Sequence, residues 1–124
     1  MRSYLNGFPT VLLCEDDPMI AIAFEQELLD HGLAVLGPFA TCRDALQLLE
    51  HRRPSAAVID VKLSDGHCRP VAQRLTAMGV PFLFFSGFDR QDYPVDLAEF
   101  AHVDWYCKPF PLNMMVEAVK LRMI

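Results

Sequence analysis

The sequence lacks any cluster of lysine and arginine residues, and its formal net charge is −5 at pH 7. Because proteins that hold nucleic acids depend on such basic clusters, direct binding to DNA or RNA is not expected. The chain also lacks a signal-peptide pattern and any apolar run of the roughly 18 residues that a membrane-spanning helix needs. These absences argue against membrane insertion and secretion, and they predict a cytoplasmic location.

Closely paired cysteines are absent as well. The four cysteines, at positions 14, 42, 68 and 107, lie far apart and form no C-x-x-C pair, and the four histidines are equally scattered. Neither a zinc site nor a disulfide framework is therefore expected. In contrast, 52% of the 124 residues are hydrophobic and 22% are charged, which predicts a folded domain with a substantial core.

Five short apolar runs recur along the chain, at residues 10–14, 33–36, 56–60, 81–85 and 103–107. Each run is continuous rather than alternating, which is typical of strands buried on both faces of a parallel sheet. The segments between and after them have helical periodicity and predict helices over residues 18–31, 42–49, 67–78, 90–101 and 111–123.

Local signals mark the ends of several of these helices. Asp17 is the expected N-cap of the first helix and Pro18 its first residue, while Thr41 is the expected cap of the second. Pro94 weakens the fourth helix, because proline disrupts a helical turn. The strict alternation of strand and helix predicts an α/β fold, a doubly wound parallel sheet with helices on both faces.

Polar residues follow four of the predicted strands. Glu15 and Asp16 follow the first run, Asp60 ends the third, Ser86 follows the fourth and Lys108 follows the fifth. Because ligands of doubly wound sheets bind at the carboxyl ends of the strands, these side chains are expected to converge in one pocket.

The chemistry of this set favours phosphoryl transfer. Three crowded carboxylates either raise their pKa values or bind a cation, and hard oxygen ligands suit Mg²⁺. A lysine and a hydroxyl can then neutralise and position phosphoryl oxygens. Asp60 is the candidate nucleophile, since a carboxylate can form an aspartyl-phosphate.

Four stretches, "VLLCEDDP", "AAVIDVKLSDG", "FLFFSGF" and "WYCKPF", together resemble the receiver domain of two-component response regulators. The resemblance covers about residues 9–123 and implies a flavodoxin-like, five-stranded sheet of order 2-1-3-4-5, with residues 1–124 forming a single receiver domain. The shorter stretch "FFSGF" is similar to a motif of single-domain receivers in α-proteobacterial general-stress signalling.

The resemblance also implies roles for the strand-end residues. Asp60 corresponds to the phosphoacceptor. Glu15 and Asp16 correspond to the acid pair that holds Mg²⁺, with Asp16 as the direct ligand and Glu15 acting through water. The backbone carbonyl of Lys62 is a further implied ligand of the metal.

Three more residues match the switching parts of the family. Ser86 corresponds to the switch hydroxyl, and Lys108 corresponds to the conserved lysine of the site, with a cis bond to Pro109. Trp105 occupies the position of the switch aromatic residue, where the family usually has tyrosine or phenylalanine.

The implied function is signalling rather than enzymatic action on a separate substrate, since a receiver catalyses only its own phosphorylation and dephosphorylation. The implied phosphoryl donor is a sensor histidine kinase or a histidine phosphotransfer protein. The implied readout is a downstream protein that binds at the fourth helix, fifth strand and fifth helix.

Two alternatives remain open from the sequence. The first is a receiver that belongs to a larger regulator or hybrid kinase. The second is a phosphorylation-independent α/β binding module or a small hydrolase of the dehalogenase type. That hydrolase family places a second aspartate two residues after its nucleophile, where this chain has Lys62.

Overall fold

A computed structural model of the chain describes residues 4–5, 7–93 and 96–123. In chain order its strands are β1 (Tyr4–Leu5), β2 (Phe8–Cys14), β3 (Ala34–Phe39), β4 (Ala56–Ile59), β5 (Lys62–Leu63), β6 (Gly66–His67), β7 (Phe82–Ser86) and β8 (Trp105–Cys107). The main sheet contains five parallel strands in the order β3-β2-β4-β7-β8, which is the predicted order 2-1-3-4-5. The predicted fold class is confirmed.

Helices cover both faces of this sheet. The described residues form α1 (Pro18–Asp30), α2 (Cys42–Leu49), α3 (Arg69–Met78) and α4 (Leu112–Arg122). Buried residues of α2 and α3 join one hydrophobic cluster, and those of α1 and α4 join the other. Within the described part of the chain, no helix has both the length and the apolar character to cross a membrane.

The predicted helix starts at α1 and α2 are confirmed by their capping hydrogen bonds. The Asp17 carboxylate accepts from the backbone N–H groups of Met19 at 2.9 Å and Ile20 at 3.4 Å. The Thr41 hydroxyl accepts from the backbone N–H of Asp44 at 3.1 Å. Both side chains therefore satisfy backbone donors that the first helical turn leaves unpaired.

The prediction of a helix over residues 90–101 is wrong for the residues described there. The connection between β7 and β8 instead contains two short 3₁₀ turns, Arg90–Asp92 and Ala98–Phe100, neither of which has a side-chain cap. The Arg90 guanidinium donates to the carbonyls of Phe100 and Val103 and so holds the segment in this irregular path. Pro94, to which the sequence interpretation attributed the weakness, lies outside the described residues.

Two short pairings are additions to the predicted fold. Strand β1 pairs antiparallel with the beginning of β2, and β5 pairs with β6 in a hairpin that begins shortly after Asp60, the residue that follows β4. Strands of two residues carry too little periodicity to be recognised from sequence. The second strand of the hairpin begins at Gly66, whose φ of 136° is accessible to glycine and strained for other residues.

Asp65, in the turn of this hairpin, caps α2 from a distant part of the chain. Its carboxylate accepts from the backbone N–H of Cys42 at 2.7 Å and of Arg43 at 3.1 Å. These two bonds lower the pKa of Asp65. The loop that follows Asp60 is thereby fastened to the start of α2.

Replacing Asp65 with alanine should lower the free energy of unfolding at pH 7 by about 1 kcal/mol, the usual value of a helix cap. Because folding lowers the pKa of Asp65, its contribution is full above the unfolded pKa and is lost as pH falls through the folded pKa. Urea unfolding at several pH values measures the difference. Asp44→Ala, which removes an acid from the first turn of α2, is the control and should show a smaller loss.

Candidate functional site

The register of the sheet brings the predicted site residues to one edge. Cys14 of β2 is paired with Ile59 of β4, so Glu15 and Asp60 follow neighbouring strand ends. Ser86 of β7 is paired with Cys107 of β8, so Lys108 follows directly beside Ser86. The carboxyl ends of four parallel strands therefore carry the polar residues, as expected for this fold.

Three carboxylates form a compact cluster at this edge. Oxygen atoms of Glu15, Asp16 and Asp60 all lie within 4.8 Å of one another. Glu15 and Asp60 are buried, with 3% and 7% of their surface exposed, whereas Asp16 is more accessible. Buried like charges at this distance need a positive charge, because water cannot fully solvate them.

Lys108 supplies one such charge. Its Nζ lies 2.7 Å from Oε1 of Glu15 and 2.7 Å from Oδ2 of Asp60. Burial alone would lower the pKa of Lys108, but the hydrogen bonds to Asp60 and Glu15 outweigh burial and raise it. Lys108 is therefore a cation at neutral pH, held between two buried carboxylates.

The pKa of the Glu15 carboxyl group is raised above its ordinary value. Burial is the main cause and the nearby charge of Asp60 adds to it, while hydrogen bonds from Lys108 and from the backbone N–H of Asp17 act in the opposite direction. The Asp17 N–H lies 3.1 Å from Oε2 of Glu15. Each carboxylate oxygen of Glu15 therefore accepts a hydrogen bond, Oε1 from Lys108 and Oε2 from the backbone N–H of Asp17.

The acids of "CEDD" have different tasks. Glu15 and Asp16 belong to the cluster, whereas the exposed Asp17 directs its carboxylate to the start of α1. The backbone of Lys62 reaches the cluster, because its N–H lies 3.2 Å from Oδ1 of Asp60. The Lys62 residue itself is exposed.

Ser86 lies at the same edge, but its hydroxyl is engaged in its own loop. The residue is fully buried, and its Oγ accepts from the backbone N–H of Phe88 at 3.0 Å. Its carbonyl accepts from the backbone N–H of Lys108 at 2.7 Å. The peptide bond from Lys108 to Pro109 is cis, as the resemblance implied.

Trp105 lies on β8 in a group of aromatic rings. Its ring centroid is 5.5 Å from that of Phe84 and 6.0 Å from that of Tyr93, and the Arg90 guanidinium lies 5.1 Å from its ring. Its indole N–H donates to the carbonyl of Phe88 at 2.7 Å. This last bond is unavailable to the tyrosine or phenylalanine usual at this position, because neither has an indole N–H.

Tyr93 is a site neighbour that the sequence interpretation missed. Its hydroxyl donates to the carbonyl of Val61, the residue after Asp60, at 3.1 Å. The residues are 32 positions apart and Tyr93 stands in an irregular segment, so no periodicity pointed to the contact.

The doubly wound sheet and its acidic cleft define a class of small α/β proteins that hold a cation at the strand ends. The sequence model of the response regulator receiver domain matches residues 11–120, and the chain belongs to this family. Receiver domains are signalling modules of two-component systems, and they bind Mg²⁺ in the active site.

The curated relatives of this chain are longer than the part that it matches. The chain is 21% identical over 112 residues to the transcriptional regulatory protein PdtaR of Mycobacterium tuberculosis, a match covering 90% of this chain and 55% of PdtaR. It therefore spans about half the length of the curated relatives it matches.

Two solved structures have the same fold as this chain. The solution structure of SdrG from Sphingomonas melonis Fr1 is 29% identical, with a TM-score of 0.76, over 97% of this chain and 100% of that one. The receiver domain of the sensor histidine kinase PA1611 from Pseudomonas aeruginosa is 20% identical, with a TM-score of 0.80, over 92% and 96% of the two chains. That structure has a magnesium ion coordinated in its active-site cleft.

Proposed function

We propose that Asp60 accepts a phosphoryl group from a sensor histidine kinase or a histidine phosphotransfer protein. One observation carries this assignment: Asp60 directly follows β4, the middle strand of the parallel sheet, where it lies in the acidic cluster with its Oδ2 2.7 Å from Lys108. Glu15 also contacts Lys108, but it follows β2, where the family has its metal-holding acids. Asp60 has a nucleophilic oxygen next to a fixed positive charge, the combination that phosphoryl transfer to a carboxylate requires.

The transfer forms one bond and breaks another. An Asp60 oxygen bonds to phosphorus while the bond from phosphorus to the donor's imidazole nitrogen breaks, and that nitrogen retains the electron pair. Lys108 neutralises charge on the phosphoryl oxygens, because its ammonium already lies against the accepting carboxylate. Burial of Asp60 limits access of water to the product.

The cluster fits a magnesium ion. Its donors are hard carboxylate oxygens, and Mg²⁺ is commonly held by one or two carboxylates together with water and phosphate oxygens. Asp16 and Asp60 would hold the ion directly, Glu15 would act through water, and the carbonyl of Lys62 would complete the protein ligands. The bound ion would supply further charge neutralisation for the phosphoryl group.

Phosphorylation would change the surface around β8. The Ser86 hydroxyl would turn from the Phe88 N–H toward the phosphoryl group, and Trp105 would follow the loop to which its indole N–H is bonded. The affected surface comprises residues 87–93 and 96–104, β8 and α4, which stand where the family has its fourth helix, fifth strand and fifth helix. A downstream protein would read this change as a shift between two surface states.

Residues 1–124 would constitute one receiver domain, acting alone or within a longer regulator. The length of SdrG favours the first arrangement and the length of PdtaR favours the second.

Incubation with an acyl phosphate and Mg²⁺ should add one phosphoryl group to the protein, and Asp60→Asn should abolish the addition. Asp30→Asn, the same change at the exposed aspartate that ends α1, is the control and should be modified like the unchanged protein. Intact-protein mass spectrometry measures both. A modified Asp60→Asn protein would contradict the assignment.

A further inference from the structure

Tyr93, in the connection between β7 and β8, contacts the backbone beside Asp60. The Tyr93 hydroxyl donates to the carbonyl of Val61 at 3.1 Å. The same peptide unit continues into the N–H of Lys62, which donates to Oδ1 of Asp60 at 3.2 Å. A continuous chain of hydrogen bonds therefore runs from the Asp60 carboxylate through one peptide plane to the phenol of Tyr93.

This peptide plane is held from two sides. Besides Tyr93, the Val61 carbonyl accepts from the backbone N–H of Cys68, just before α3, at 2.9 Å. A carbonyl oxygen has two lone pairs, so both acceptor positions are in use. Because the peptide unit is planar, a change at Lys62 N–H must tilt the carbonyl at its other end.

The ring of Tyr93 lies against the aromatic group around Trp105. Its centroid is 5.5 Å from that of Phe88 and 6.0 Å from that of Trp105. Burial raises the pKa of Tyr93, and the neighbouring Cys68 and Asp60 add to the effect, so the phenol remains a donor at neutral pH. One side chain thus contacts both the proposed phosphoacceptor loop and the proposed switch residue.

We propose that Tyr93 is a positioning residue that couples the state of Asp60 to Trp105 through the peptide between Val61 and Lys62. The proposal rests on the proposed function of this site. The coupling starts at the Lys62 N–H, whereas the Ser86 hydroxyl contacts the N–H of Phe88. Occupation of the site changes the bonding at Lys62 N–H, the peptide tilts, and the Tyr93 ring moves against Trp105.

Tyr93→Phe tests the coupling, because it removes the hydroxyl and keeps the ring. Trp105 is the only tryptophan of the chain, so its fluorescence emission reports its surroundings directly. Tyr106→Phe is the matched control, since Tyr106 packs against Phe110 in the hydrophobic cluster on the other face of the sheet. Each protein is titrated with Mg²⁺ alone, then treated with an acyl phosphate and examined by mass spectrometry.

In the unchanged protein and in Tyr106→Phe, the emission of Trp105 should change with Mg²⁺. In Tyr93→Phe, the Mg²⁺ midpoint should shift, by up to about five-fold, because the coupling cannot exceed the free energy of the one neutral hydrogen bond that is removed. The amplitude of the emission change should also fall to less than about half, because the peptide no longer moves the ring beside Trp105.

Three results would overturn the coupling: an unresponsive Trp105 in the unchanged protein, an unaltered titration in Tyr93→Phe, or an equal loss in Tyr106→Phe. The mass spectra test the proposed function, because they show whether a phosphoryl group is added. If no phosphoryl group is added but the Mg²⁺ titrations differ as expected, the proposed function fails and the coupling stands.

Discussion

Replacing Lys108 with alanine should reduce the rate of phosphorylation by about 100-fold or more, the loss typical of removing one fixed charge that stabilises a transition state. Lys108 is the cation that contacts both Glu15 and Asp60 at 2.7 Å. Without it, phosphoryl oxygens would approach the buried carboxylates with one less positive charge to offset their repulsion. Quench-flow or mass-spectrometric time courses with an acyl phosphate measure the rate.

The same replacement should destabilise the fold in the absence of Mg²⁺. Removing one partner of a buried ion pair costs about 3 kcal/mol, because the remaining charges stay buried without compensation. The side chains of Glu15 and Asp60 are only 2% and 9% exposed, so water cannot replace the ammonium. Lys120→Ala, which removes an exposed lysine of α4, is the control and should change stability little.

The loss of stability in Lys108→Ala should grow as pH rises from about 5 to about 8. The pKa of Glu15 is already raised by burial, and hydrogen bonding to Lys108 opposes that rise. Without Lys108 the pKa of Glu15 rises further. A carboxyl group with a raised folded pKa favours the native state below its unfolded pKa, and this contribution is lost as pH rises through the folded pKa. A loss that is greatest at low pH would contradict this electrostatic account.

Addition of Mg²⁺ should raise the melting temperature of the unchanged protein by about 10 °C when the ion is present at about 100 times its dissociation constant. Binding to the native state at that excess contributes about 2.7 kcal/mol, and a domain of this size gains roughly 4 °C per kcal/mol. The physical cause is the acidic cluster, whose repulsion a divalent cation relieves. Calorimetry over a range of Mg²⁺ concentrations measures the shift.

Substitutions at two neighbouring acids distinguish metal binding at the cluster from a general effect of charge. Asp16→Asn should abolish most of the Mg²⁺ response, because it removes the accessible carboxylate of the cluster. Asp17→Asn removes the same charge one position later and should keep the response, because asparagine still caps α1. Equal Mg²⁺ responses in the two variants would show that the metal does not bind at this cluster.

Much of the site was accessible to sequence reasoning because it depends on backbone topology. Parallel strands end at one edge, so polar residues directly after apolar runs had to meet there, as Glu15, Asp60 and Lys108 do. The role of Asp17 was equally local, because a cap depends on the two or three residues that follow it.

Other features depended on contacts between distant segments. The sequence of residues 90–101 has helical periodicity, but Arg90 bonds the carbonyls of Phe100 and Val103, and residues 90–93 and 96–101 are irregular apart from two short 3₁₀ turns. Tyr93 reaches Val61 from 32 positions away, and Asp65 caps α2 from 23 positions away. No pattern of neighbouring residues encodes such bonds.

The sequence by itself determined the alternation of strands and helices, the fold class and the edge at which the acids and the lysine collect. Those properties follow from hydrophobic period and from the geometry of parallel strands, which act over a few residues at a time. Only the tertiary structure decided that Lys108 bridges Glu15 and Asp60, that the Ser86 hydroxyl contacts its own loop, and that Tyr93 bonds beside Asp60. These are properties of side-chain orientation in a packed core, where every rotamer depends on neighbours brought together by the fold.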